Sequence, residues 1–457
     1  MIARVGRLSS ALLLAFALLM SAASADPIVL RNVRVVDMVT AGGPRSADVV
    51  VEDGRITAVV EPDKHLTANA REIDGKGRFL IPGLAEMHAH LPTNPDQRAQ
   101  AEDLLALFVA NGVTNIRSML GDGWHLALRD ELAAGKVLGP RMFAGAPSLN
   151  GSSAPDSETG ARLAREYAAA KFDFLKLHPG LKRDVFDAIV KAANETGIPF
   201  AGHVSDAVGI EHALDSKYAA IDHLDGYLIA LADDECRQRR APAFFGIGLI
   251  DCMDAARIGP LVQHTLRAGT WNVPTQAFLE HFAYPPASVA ALRARPEMKY
   301  LPPATAQNWI DARARFLGTQ AMTKAQFDRF IDLRRQLIRS LYTAGAPLLA
   351  GSDSPQVFNV PGFAAHDELA ALVAAGLPPR AALQAATVNV ARHFKREGQF
   401  GAISPGQAAD LVLLDANPLE SIDNTRRIAG VMLRGRWLDR AELDTLLAGV
   451  AARQASR

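Results

Sequence analysis

The chain has 457 residues, 49% of them apolar and 21% charged, with 49 Lys and Arg against 49 Asp and Glu. Such a chain can bury a large core and is not compositionally disordered, and its even charge offers no basic footprint for nucleic acid. The length suits one barrel-sized domain plus a small accessory domain.

The first 25 residues read as an export signal. Arg4 and Arg7 supply the positive region, Ala11 to Met20 the apolar stretch, and Ala23-Ser24-Ala25 a small-x-small cleavage site before Asp26. An apolar stretch this short does not span a bilayer. Cleavage after Ala25 leaves 432 residues with a net charge of about −2, and places the mature protein in the periplasm or outside the cell. Cys236 and Cys252 are the only two cysteines; in an exported protein they either pair or stay as two buried thiols.

Residues 28 to about 78 read as antiparallel strands, with "DVVVEDGRITAVV" a hairpin turning at Asp53-Gly54. The far end carries matching pieces: the apolar run "ADLVLLD" (409–415) and a hairpin in "GVMLRGRWL" (430–438) around Arg434-Gly435. A lone hairpin is marginal in water, so the two ends are expected to pool into one small β-sandwich domain from 26–80 and 402–457.

Between them, 81–401 alternates strand and helix for eight rounds, which predicts an α/β fold of the (β/α)8 TIM barrel type. Strands are expected at about 79–86, 113–119, 141–146, 172–178, 199–204, 219–224, 271–276 and 346–352. Helical spacing shows in Leu104, Leu105, Phe108 and Val109, and again in Val185, Phe186, Ile189 and Val190. A later helix opens on the capping box Thr323-x-x-Gln326 and carries Phe327, Phe330, Ile331 and Ile338 on one side. About 70 residues separate strands seven and eight, far more than a connecting helix needs. This excursion is expected to be a lid or substrate wall centred on Tyr300 to Trp309, against the alternative of a packing insertion.

Six residues suited to metal chemistry fall at the ends of these strands: His88 and His90 in "LAEMHAH", Lys176, His203, His223 and Asp353. The His-x-His pair carries little alone among 12 histidines. On a strand, however, i and i+2 share a face, which sets the pair side by side roughly 6.6 Å apart along the backbone. Strand ends converge at the C-terminal rim of a barrel, so the six together point to a metal centre for hydrolysis. His178 shares a face with Lys176 and is a candidate substrate contact or a hydrogen-bonded rim histidine. Tyr227, just past His223, is a candidate donor to a developing oxyanion. His366 and Glu368 either meet a substrate terminus or cap a helix. His212 reads as a surface residue, and His65, His125, His264 and His281 receive no role.

With these motifs placed, the chain resembles the amidohydrolase superfamily, in its Xaa-Pro dipeptidase and imidazolonepropionase-like branch. "IPGLAEMHAH", "DFLKLH", "GHV", "DHLDGY", "GSDSP", "HDELAALVAAGLPPRAALQAATVNVAR" and "GAISPGQAADLVLLDANPL" carry the resemblance over about 28–440. It implies two divalent metal ions, usually zinc, one on His88 and His90 and the other on His203 and His223. It also implies that Lys176 bridges them as N6-carboxylysine formed with CO2, since a lysine ammonium of pKa about 10.4 is a poor ligand. Asp353 would ligate and shuttle a proton. Strand two departs from the branch: "NIRSMLGDG" has Ser118 where an Asp is usual, while Arg117 is retained and joins His178, Tyr300 and His366 as an expected substrate contact.

The expected activity is hydrolysis of an amide bond in a dipeptide or N-acyl amino acid by a metal-bridged hydroxide. The expected partner is that small molecule, with no nucleic acid and no membrane after signal cleavage; homo-oligomerisation stays open. One rival is ring opening of a cyclic amide, or deamination, at a single metal, which Lys176 argues against. Another is a binding protein that has lost catalysis, which the presence of all six residues argues against.

Overall fold

The computed structural model describes residues 26–62, 70–283, 288–319 and 322–456. The expected export signal and His65 lie outside them.

Strands from both ends of the chain pair into one sheet. They are β1 (Ile28–Val35), β2 (Arg45–Glu52), β3 (Arg55–Val60), β4 (Arg71–Asp74) and β5 (Phe79–Pro82), and, after seven barrel strands β6–β12 described below, β13 (Leu411–Leu414), β14 (Ile428–Leu433) and β15 (Arg436–Asp439). The order is β15-β14-β13-β5-β1-β2-β3, with β4 on β1, and the two ends of the chain join where β5 runs antiparallel to β13. Both hairpin turns have two left-handed residues, Asp53-Gly54 (φ 48° and 74°) and Arg434-Gly435 (φ 49° and 81°), the conformation that matches the twist of paired strands. The two turns touch: a Cβ on Gly435 would lie 2.7 Å from Gly54 Cα. The expected sandwich is therefore a single sheet curled over its own apolar face, which holds Leu30, Val49, Leu80, Leu411, Met432 and Trp437.

The remaining strands are β6 (Leu84–Ala89), β7 (Val113–Ser118), β8 (Arg141–Ala144), β9 (Leu175–Leu177), β10 (Phe200–Gly202), β11 (Ala220–Asp222) and β12 (Trp271–Val273). All their pairings are parallel, in two sheets, β6-β7-β8 and β9-β10-β11-β12. Parallel strands covered by helices on one side and a core on the other are buried throughout, as β6, β7, β9, β10 and β11 are. Isolated parallel bridges link the two sheets. Gly145 pairs with Phe174 at one seam; at the other, 346–354 bridges to β12 through Leu348 and to β6 through Ser354. That segment is the expected eighth strand, held by single hydrogen bonds (Leu349 N to Asn272 O, 2.9 Å; Met87 N to Ala350 O, 3.0 Å) rather than a regular ladder. Gly351 has no room for a side chain, since a Cβ there would meet Val273 Cγ1 at 2.6 Å and His88 N at 2.7 Å. The result is a TIM-barrel α/β fold with an attached sheet. Strands four to seven are shorter than the sequence predicts, and the site residues sit at or just past their ends.

The capping box forms as expected, and Phe327, Phe330, Ile331 and Ile338 are buried. Among the described residues no helix is long and apolar enough to cross a membrane.

The excursion does not present Tyr300 to the barrel mouth. Tyr300 is buried, stacked on Phe363 (5.3 Å between centroids), and Trp309 packs edge-on to Phe358 (6.2 Å). Both fill space between helices, so the expectation that they shape the pocket is corrected: an aromatic in this position gains more by burial than by facing solvent.

Candidate metal centre

The barrel brings the expected residues together. The imidazoles form a continuous line of rings: His90 to His88 (5.1 Å), His88 to His223 (4.5 Å), His223 to His203 (4.6 Å) and His203 to His178 (5.0 Å). Asp353 closes one end, its Oδ1 lying 2.8 Å from His90 Nε2 and 3.5 Å from His88 Nε2, with Oδ2 3.9 Å from His223 Nδ1. His88, His90 and Asp353 converge tightly enough to hold one ion. Two of the six residues adopt left-handed backbone, His223 (φ 62°) and Asp353 (φ 61°). For non-glycine residues such strain costs on the order of 1–3 kcal/mol and collects at functional sites.

Lys176 lies inside this group. Its Nζ is fully buried and makes no hydrogen bond, the nearest acid being Asp222 Oδ2 at 3.8 Å. Burial pushes the Lys176 ammonium down to about 8. Burial, with the neighbouring positive charges, also holds His88 and His223 well below the usual imidazole range. Uncharged imidazoles are the form that ligates a metal. Ligand atoms of His88, His90 and Asp353 that converge on one point fit a cation better than a closed hydrogen-bond network, which would not leave the buried Lys176 Nζ without a partner.

Supporting residues absent from the sequence reading complete the site. Asp222 accepts a hydrogen bond from Arg117 and stands 3.4 Å from His88 Nδ1. Asp225 accepts from His203 Nδ1 (3.0 Å), and Thr275 Oγ1 is 2.9 Å from His223 Nδ1. Outer partners of this kind fix which nitrogen faces an ion. Glu86 accepts from the backbone of His88 (2.9 Å) and of Ser352 (2.7 Å), stitching β6 to the 346–354 segment; burial raises its carboxyl to about 7. Arg334, fully buried on the helix Lys324–Thr343, donates to the carbonyls of His223 (2.8 Å) and Pro274 (2.7 Å). A signal existed for three of these, because Glu86, Asp222 and Asp225 sit within three residues of His88 or His223 in the very motifs that mark the strand ends.

Several expected contacts lie elsewhere. Arg117 is buried beneath the line of histidines, where Nε donates to the Met87 carbonyl (2.7 Å) and the guanidinium holds Asp222, so it supports the floor of the site rather than lining it. Tyr227 is buried with its hydroxyl 2.8 Å from Thr265 Oγ1, in helix packing. His366 is buried against Thr425 Oγ1 (2.9 Å) and the Asn111 carbonyl (3.1 Å). Both are corrected from site residues to packing residues, since each sits on the helical layer rather than at a strand end. Glu368 does cap a helix, though a neighbouring one, accepting from Ala277 N (2.8 Å). His178 stays at the site, its Nδ1 2.6 Å from Ser148 Oγ and its ring against His203; burial lowers it to about 2. His212 pairs with Asp187 away from the site, and His125, His264 and His281 are bonded to Pro92 O, Asp215 and Asn359. The two cysteines pair as one disulfide, Cys236–Cys252.

Comparison with known proteins agrees with this architecture. Bottromycin amidohydrolase superposes with a TM-score of 0.73 at 24% identity, covering 93% of this chain and 90% of that one. A Xaa-Pro dipeptidase with methionine bound superposes with a TM-score of 0.66 at 18% identity, covering 91% and 100%. By sequence, adenine deaminase 3 of Rhizobium meliloti (strain 1021) is 24% identical over 450 residues, 93% of this chain but only 59% of that relative's length. The pattern of the amidohydrolase family matches residues 79–438, from β5 through β15. The chain belongs to the amidohydrolase family.

Proposed function

We propose that the protein is an exported, metal-dependent hydrolase that cleaves the amide bond of a dipeptide or N-acyl amino acid. The observation that carries this reading is Lys176 Nζ, buried without a hydrogen-bond partner among four histidines and Asp353. An unmodified, unpartnered amine in that position is costly. Addition of the uncharged amine to CO2 forms an N–C bond, releases one proton and leaves an anionic group with two oxygens in its place. His88, His90 and Asp353 would then hold one divalent ion, usually zinc in this family, and His203 and His223 a second, with modified Lys176 between. Bound there, such a pair activates water near neutral pH and polarises the scissile carbonyl.

The chain's own residues supply the rest. Asp353, 2.8 Å from His90 and only 6% exposed, is placed to take the proton of the attacking water. It then returns that proton to the leaving nitrogen, which an amide requires because the amide anion is too basic to depart. His178 and Ser148 border the open side of the histidine line and are placed to orient substrate. Export is supported by the signal-like leader and by the Cys236–Cys252 disulfide, a bond that persists in oxidising compartments. The solved Xaa-Pro dipeptidase favours the dipeptide reading, while the adenine deaminase relative favours deamination as the second reading.

The test is metal analysis and turnover together. Protein purified with zinc and bicarbonate should bind about two ions per chain and cleave members of a dipeptide and N-acyl amino-acid panel. Lys176→Ala should lower the metal content and abolish turnover. One ion per chain, unchanged in Lys176→Ala, together with release of ammonia from adenine, would replace this reading with the second.

A further inference from the structure

Two consecutive phenylalanines stand together at the mouth of the site, their rings edge to face with centroids 4.4 Å apart. The Phe244 ring also packs into an aromatic cluster with Phe282 (5.3 Å between centroids) and Phe316 (5.0 Å). Phe245 turns toward the metal centre. Its ring lies parallel to that of His203 (6.2 Å, 9° between planes) and 5.2 Å from that of His223. The backbone achieves this with left-handed residues at Ala243 (φ 53°), Phe245 (φ 49°) and Gly246 (φ 85°). Side-chain-bearing residues in that region persist only where the surroundings over-determine them.

The surroundings here do so. The Cys236–Cys252 disulfide brackets the segment. Asp251 is held by Arg240 (3.0 Å) and by Gln326 (2.8 Å), the latter on the helix Lys324–Thr343. Gly248 N bonds back to the Pro242 carbonyl (2.9 Å). Beside the ring runs a groove of about 510 Å³ lined by apolar residues (Val204, Ile229, Phe244, Phe245) and by the charged Lys182 and Asp206, with His203 opening into it. An apolar side chain laid against the Phe245 ring buries area there that alanine does not.

We propose that Phe245 is the specificity-determining wall of the site: its ring receives an apolar side chain on the half of the substrate lying beside His203, and the Cys236–Cys252 disulfide holds the wall in place. What is walled is the centre of the proposed hydrolase, so the inference rests on that reading for its catalytic meaning. The occupant it selects is an amide with a large apolar or aromatic side chain in preference to alanine.

Two measurements on the full chain test it. The first compares the wild type, Phe245→Ala and the double variant Cys236→Ser/Cys252→Ser, all metal-loaded, on amide substrates with Phe, Leu or Ala at each side. Phe245→Ala should lower the ratio of kcat/KM for Phe over Ala substrates by roughly tenfold or more, mostly through KM and with metal content unchanged. The double variant should move in the same direction. An equal loss on every substrate overturns the proposal.

The second needs no turnover. In metal-free protein, carbethoxylation of His203 by diethylpyrocarbonate is followed by peptide mass spectrometry, with His264, paired with Asp215 away from the site, as the control. His203 should react several-fold faster in both variants while His264 does not change. N-acetylphenylalanine should protect His203 better than N-acetylalanine in the wild type, and this difference should vanish in Phe245→Ala. Unchanged labelling, or equal protection by the two ligands, overturns the wall. Absence of turnover across the panel, with the protection pattern intact, counts against the hydrolase reading alone.

Discussion

The floor of the site and its cover are built by different means. The floor hangs on strand ends: His88 on β6 and His90 one residue past it, Lys176 on β9, His203 and His223 one residue past β10 and β11, and Asp353 near the end of the 346–354 segment. The cover hangs on two insertions, one between β11 and β12 carrying Phe245, the other after β12 carrying Phe316 and Arg334. Floor residues are positioned by a two-residue period and by the ring order of the barrel, both local and repeated. Cover residues are positioned by a disulfide, three left-handed residues and ring–ring contacts between distant segments. The floor therefore sets the chemistry and the cover sets what reaches it.

The sharpest way to break that division is at Asp353. Asp353→Asn keeps the shape and one oxygen but removes the base. If the floor alone carries the chemistry, turnover should fall by something on the order of 10²–10⁴ while fold and most of the metal are retained. Measurement of kcat and bound metal on this variant decides it, because a merely capping aspartate would tolerate Asn with turnover nearly intact.

A smaller effect is expected one layer down. Asp222 is the carboxylate that faces Arg117, and both are fully buried. Asp222→Asn leaves the guanidinium charged without its partner, and removing one member of such a pair costs about 3–5 kcal/mol. Denaturant unfolding of the metal-free protein should show this loss, which the metal content alone would not reveal. A change under 1 kcal/mol would mean that Asp222 acts only through His88 and belongs to the chemistry rather than to the floor's stability.

How much of this was legible follows the same division. The six floor residues were readable because each ends an apolar run at a strand position, and the sheet formed by both chain ends was readable from hairpin turns such as Asp53-Gly54. Strand eight was readable as a segment but not as an irregular one, because the close approach of Gly351 to β6 is a tertiary fact. Tyr300, Tyr227 and His366 were misplaced for one reason: a polar aromatic near a motif has the same sequence signature whether it faces the site or the helical layer. Arg117 was misplaced because a strand residue shows its face but not its depth. Phe245 carried no signal at all, since its orientation depends on a left-handed backbone that no residue type in "APAFFGIG" demands outside its glycines.

Tyr227 gives the mildest and cleanest probe of the boundary between the two regions. It follows His223 by four positions, close enough in sequence to suggest an oxyanion donor, yet its hydroxyl lies 2.8 Å from Thr265 Oγ1. Thr265 already donates its own proton to the Leu261 carbonyl (2.9 Å), so it is Tyr227 that donates. Burial raises the phenol to about 12, which keeps that proton in place at any working pH. Tyr227→Phe removes the donor and leaves Thr265 with its own bond intact. The expected cost is therefore that of one buried hydrogen bond, about 1 kcal/mol of stability, with kcat nearly unchanged. An oxyanion donor behaves differently: its removal costs about 10²–10³ in kcat. A drop of that size with unaltered unfolding would place Tyr227 back at the site and move the edge of the cover outward to include the start of the β11–β12 insertion.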